Sequence, residues 1–140
     1  MKNLTFEIGK ICIGVLGSLV AGFYGGWTSA MSTLCILMTL DFITGLLVAA
    51  RNRSPKSETG GINSEVIWTG VAKKVVIAAL VGVGHRVDLV MGTSYLKDAV
   101  CVAYIVNELV SLGENAGLLG VPLPAPLISA IDVLKNKKEE

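Results

Sequence analysis

The strongest constraint on this chain is that its long apolar runs are interrupted by polar groups recurring at helical spacing. Asp41 breaks the run from Met31 to Ala50, and Asn107 and Glu108 break the run from Ala99 to Leu112. A carboxylate at the centre of a membrane helix costs about 2.5–3.5 kcal/mol on insertion scales. Such residues normally face protein or a water-filled space and mark function. The helices of this chain must therefore assemble before their polar faces are satisfied, because lipid offers those faces no partner.

The rest of the composition agrees with a membrane. The chain has 140 residues, 52% hydrophobic and only 16% charged, against about 25% charged in soluble domains. Mean hydropathy is +0.66. A net charge of +1 leaves no bulk basic surface for nucleic acid. The 16 glycines suit close helix–helix approach. Cys12, Cys35 and Cys101 lie far apart inside apolar runs and read as reduced packing residues; no CxxC or His/Cys cluster suggests a metal. The apolar stretch after Lys2 and Lys10 resembles a signal peptide in outline. With so much apolar sequence behind it, a retained helix is expected.

About 20 apolar residues span the hydrocarbon core as a helix, and the sequence divides accordingly into one all-α membrane domain, residues 1–140, with three or four spans. Expected helices cover residues 5–24, 29–50, 69–90 and 99–115, the first two forming an N-terminal hairpin around Tyr24-Gly25-Gly26-Trp27. A polar loop follows at 51–66. A short amphipathic or cytoplasmic helix and a charged tail occupy 126–140. Gly14, Ser18 and Gly22, four residues apart, are a candidate packing face for the first helix. The third span is short, so Lys73 and Lys74 are expected to snorkel. If the first segment lies flat, three spans remain. Basic residues concentrate at Arg51, Arg53, Lys56, Lys73 and Lys74 and again at Lys135, Lys137 and Lys138. The positive-inside rule puts the central loop and the C-terminus in the cytoplasm.

Two polar faces emerge from helical periodicity. Lys74, Ala78, Val81, His85 and Asp88 share one face of the third helix. In the fourth, Tyr104, Asn107, Glu108, Ser111, Glu114 and Asn115 lie within an arc of roughly 120°, opposite Val102, Ile105, Val106, Leu109 and Leu112. One reading makes these residues the lining or seal of a pore built by association. The other pairs Asp41 and Glu108 with Lys74, His85 or Arg86 inside one folded chain. Asp41 is also placed to bond a neighbouring helix through its Thr44-Gly45 side. His85 reads as a partner of Asp88, three residues on. No nucleophile–base pair, phosphate loop or metal-ligand spacing is visible, so neither an enzyme nor a cofactor is expected.

Asp41-Phe42-Ile43-Thr44-Gly45 and Trp68 to Lys74 open an ordered set of motifs. They are similar to the D-x-x-x-G and the W-x-G-x-x-K-K of the toxin-secretion and phage-lysis holin family (bacteriophage holin, holin 4 type). His85 to Asp88 resembles its H-x-x-D. Asn107 to Ala116 resembles N-E-x-x-S-x-x-E-N-A, and Gly120 to Pro124 the G-x-P-x-P that follows. The set covers about residues 41–135; each motif is weak, and the order is what makes the likeness strong. Gly113 departs from the bulky aliphatic residue usual there. The resemblance implies a homo-oligomer in the bacterial cytoplasmic membrane that opens lesions in lipid. Through them a cell-wall hydrolase (endolysin), or a toxin, leaves the cell and the host lyses. A small ion channel or transporter subunit, or a non-conducting anti-holin or adaptor, is the alternative.

Overall fold

The computed structural model describes residues 2–139, without the side chains of residues 2, 134, 135 and 137–139. Five helices follow in order: α1 (Lys2–Tyr24), α2 (Ser29–Ala50), α3 (Ser64–Met91), α4 (Leu96–Leu118) and α5 (Ala125–Glu139). No strand occurs among the described residues. Three of the helices, α1, α2 and α3, are long and apolar enough to cross a membrane. Of the four longer helices the one that misses this standard is α4, which carries the polar arc, and not the N-terminal segment.

Local chemistry sets the ends. Thr28 caps α2, its hydroxyl accepting from the Met31 N–H. Asn63 caps α3 through Oδ1, which accepts from the Glu65 N–H at 2.8 Å and the Val66 N–H at 3.3 Å. That cap starts α3 at Ser64, five residues ahead of the expected start near 69, and gives the short third span its missing length. Gly92, at φ +67°, ends α3 in the left-handed conformation that glycine adopts without cost.

The core lies between α2, α3 and α4, where Met31 and Leu34 meet Val81, Cys101 and Ile105. The helix α4 runs the length of this bundle. Its first turn reaches Tyr24 and Gly26, and Leu118 at its last turn accepts a hydrogen bond from Arg53 in the α2–α3 loop. Against it pack α2, α3 and α5, while α1 packs on α3. Of the cysteines only Cys101 is a packing residue; Cys12 and Cys35 are exposed on α1 and α2.

A short turn joins α1 to α2, and α1 docks through its last residues. The Tyr24 hydroxyl donates to the Ala78 carbonyl at 2.9 Å. Phe23 packs its ring where Gly82 has no side chain. Gly25, at φ +65°, lies under the His85 ring, which a β-carbon there would overlap. Above this end α1 is exposed: nothing lies within 4 Å of a β-carbon built at Gly14 or Gly22, and Ser18 is exposed as well. The packing face expected there meets nothing within the protomer. Gly45 does face a neighbour, with Asn115 Nδ2 at 3.8 Å from its β-carbon position.

Candidate functional site: a charged network between three helices

Lys74 of α3 reaches between α2 and α4. Its Nζ lies 2.9 Å from Asp41 Oδ2 and 2.6 Å from Glu108 Oε2. The second Asp41 oxygen accepts from Ser111 Oγ at 2.6 Å and from Asn115 Nδ2 at 3.1 Å. Asn115 Nδ2 also lies 3.3 Å from the Asp41 carbonyl and 3.1 Å from Thr44 Oγ1. One carboxylate thus holds a lysine, a hydroxyl and an amide drawn from two other helices. No buried side-chain polar atom among the described residues lacks a hydrogen-bond partner. Unmatched charges would be expensive in an apolar layer; here Lys74 engages both carboxylates inside the protomer, and the side chains of Lys74, Asp41 and Glu108 are 18, 12 and 8% exposed.

The polar arc of α4 is consequently split along its length. Glu108, Ser111 and Asn115, within eight residues, point at α2 and α3, with Tyr104 packed against the core. Asn107 and Glu114, roughly 60–100° further round the helix, are exposed. Gly113 leaves room for Leu123 from the segment before α5; a β-carbon there would sit 2.6 Å from Leu123 Cδ1.

A second polar cluster lies at the other end of α4. Asp88 is 3% exposed. Its Oδ1 accepts from the Leu96 N–H at 3.0 Å and its Oδ2 from the Lys97 N–H at 2.9 Å, while the Thr93 hydroxyl donates to Oδ1. Asp88 therefore caps α4 from α3. The cap residue of α4 itself, Tyr95, gives no side-chain hydrogen bond. This corrects the expected pairing with His85, because an acceptor at a helix start takes two otherwise orphaned amides. His85 lies instead against the α1–α2 turn. Lys97 was not anticipated. It is 8% exposed, and its Nζ donates to the Tyr24 carbonyl at 3.1 Å and the Gly26 carbonyl at 3.4 Å, binding the C-terminal end of α1. Its sequence signal is position: Lys97 heads the helical line that continues through Cys101, Ile105 and Glu108, all buried. Among the described residues no group of three His, Cys, Asp or Glu side chains is arranged to hold a metal ion.

Comparison with known proteins places this architecture. A profile of the bacteriophage holin family matches residues 18–136. This chain belongs to the bacteriophage holin family. The match contains both clusters and four of the five helices in full or nearly so. An uncharacterized protein of Halalkalibacterium halodurans is 38% identical over 137 residues, covering 94% of this chain and 96% of its own. An uncharacterized 14.9 kDa protein of Clostridium perfringens is 31% identical over 140 residues, 99% of this chain and 100% of that protein. A more distant relative, 25% identical over 116 residues (82% and 81% of the two chains), is a probable holin of Bacillus phage phi105. No solved structure matches the chain. The holin-family chain is a helical membrane protein in which Asp41, Lys74 and Glu108, from three helices, meet within one protomer.

Proposed function

We propose that this holin-family protein assembles in the bacterial cytoplasmic membrane and opens lesions wide enough to release a cell-wall hydrolase or a toxin. The observation that carries the reading is the divided arc of α4. Its inner half locks the protomer through Asp41, Lys74, Glu108, Ser111 and Asn115. Its outer half leaves Asn107 and Glu114 exposed on a helix that packs against two strongly apolar ones, α2 and α3. A carboxylate exposed on α4 is costly where hydrocarbon covers it and favourable against water or a polar neighbour. Association of copies provides that setting without a ligand, and makes assembly steep in concentration. Asn107 and Glu114 would line or seal the lesion, with the lock residues holding its wall together.

The same geometry supports a topology. Arg53 joins the α2–α3 loop to the C-terminal end of α4, which supports a reading in which this loop and the segment after α4 lie on one side of the membrane. Both would face the cytoplasm. No enzymatic step belongs to this function.

Reconstitution tests the reading. Liposomes loaded with dextrans of graded size would receive increasing protein, with insertion verified by flotation. Release of protein-sized dextran above a threshold protein-to-lipid ratio is expected, with the threshold moved by Glu114→Gln. Fully inserted protein that retains every dextran at all ratios would refute it.

A further inference from the structure

The network is one charge out of balance. Lys74 offsets one of the two carboxylates it bridges, so Asp41, Lys74 and Glu108 together keep one excess negative charge. Beside them opens a cleft of about 410 Å³, walled by α3, by Glu108 of α4 and by the α2–α3 loop. A second hollow of about 100 Å³ lies on another side of Asp41 and Lys74, between α2, α3 and the loop. Of the loop residues between α2 and α3, Lys56 alone lines both. It also lies within electrostatic reach of Asp41. The other charged groups around the larger cleft, Glu65 and Lys73, cancel each other.

Lys56 is held over these openings by an ordered turn. The Ser54 N–H donates to the Gly60 carbonyl at 2.9 Å, and Ser57 Oγ donates to the Gly61 carbonyl at 2.8 Å. Arg53, three residues before Lys56, is tied to Leu118. The loop thus presents its lysine to the cleft beside the network.

We propose that Lys56 is the fourth charge of the intramembrane network, a tethered counter-ion that brings Asp41, Lys74 and Glu108 to neutrality and sets which ions enter the cleft. With Lys56 in place the cleft is electrically balanced. With the loop lifted or the charge removed, its floor holds a net negative charge in water, and fixed acidic groups at a narrow opening favour cations. The influence of Lys56 acts through space, because no ion pair within 4.0 Å engages it among the described residues. Its effect should therefore weaken as salt rises.

The test is a charge cycle on the full-length protein in detergent, read by thermal melting at low salt. Lys56→Arg should melt with wild type, Lys56→Gln below it and Lys56→Glu lower still. Glu108→Gln should cost less in the Lys56→Gln background than in wild type, because there it restores neutrality instead of overshooting it. A loop lysine with a merely structural role would give no such coupling. Melting of all three Lys56 variants with wild type would overturn the proposal, as would an equal cost of Glu108→Gln in both backgrounds. If Glu108→Gln fails to fold, the Lys56 series decides alone. A second arm measures reversal potential across planar bilayers in a KCl gradient, where Lys56→Glu should shift selectivity toward potassium. That arm rests on the pore reading: wild-type protein that inserts without conducting counts against the proposed function, and the melting series still decides the role of Lys56.

Discussion

Replacing Lys74 by Gln removes the cation shared by Asp41 and Glu108 and leaves two carboxylates facing each other. The oxygens it bridges can be no further apart than the two contact lengths end to end, about 5.5 Å. At an effective dielectric of about 20, two unit charges at that separation repel by about 3 kcal/mol. This agrees with the roughly 3–5 kcal/mol that follows removal of one partner from a buried ion pair. It exceeds the roughly 0.6 kcal/mol average for a hydrogen bond between membrane helices, so the lost compensation of this repulsion by Lys74, more than the loss of its hydrogen bonds, should dominate. Denaturing titration of the purified protein in mixed micelles, followed by circular dichroism, measures the loss. Lys74→Gln is expected to lose about 3 kcal/mol. Adding Glu108→Gln should recover most of it, since one of the two charges is then gone. A Lys74→Gln variant within about 1 kcal/mol of wild type, or a double variant weaker than the single, would refute the electrostatic argument.

Other sites give separate checks. Asn115→Ala deletes the amide that joins α4 to Asp41 and Thr44 and should cost about 1–2 kcal/mol in the same titration; a cost no larger than that of Val121→Ala, an exposed site, would contradict the assignment. Asp88→Ala should speed hydrogen exchange at the Leu96 and Lys97 amides several-fold, with Asp88→Asn intermediate, and unchanged exchange would remove Asp88 as the cap of α4. Gly82→Leu fills the space of the Phe23 ring and should widen the distance between spin labels on α1 and α3. An unchanged distance would mean that this contact does not dock α1.

The helices were legible because each long apolar run has a clear end: Tyr24-Gly25-Gly26, Arg51 to Pro55, and the Gly/Pro segment from Gly117 onward. The start of α3 was not, because Asn63 caps it inside a stretch that reads as a polar loop. The membership of the charged network was legible as a set of alternatives. Periodicity put Glu108, Ser111 and Asn115 on one arc, but only packing divides that arc into residues turned toward Asp41 and residues turned away. Local spacing misled at Asp88, where a partner three residues back on the same helix loses to two amides on the next. Lys97 escaped because a lysine near a short connection reads as solvated; its place on the line of Cys101 and Ile105 was the available clue. The small-residue face of α1 was legible as a pattern, but nothing within the protomer packs on it.

The most direct measurement of the central claim is inducible expression in a bacterium, with and without a cytoplasmic peptidoglycan hydrolase lacking an export signal. Membrane potential, optical density and hydrolase release are followed together. The account predicts an abrupt loss of potential after a delay set by protein level, with hydrolase release and lysis only when the hydrolase is present. Sustained potential and continued growth, at verified membrane levels of the protein, would contradict it.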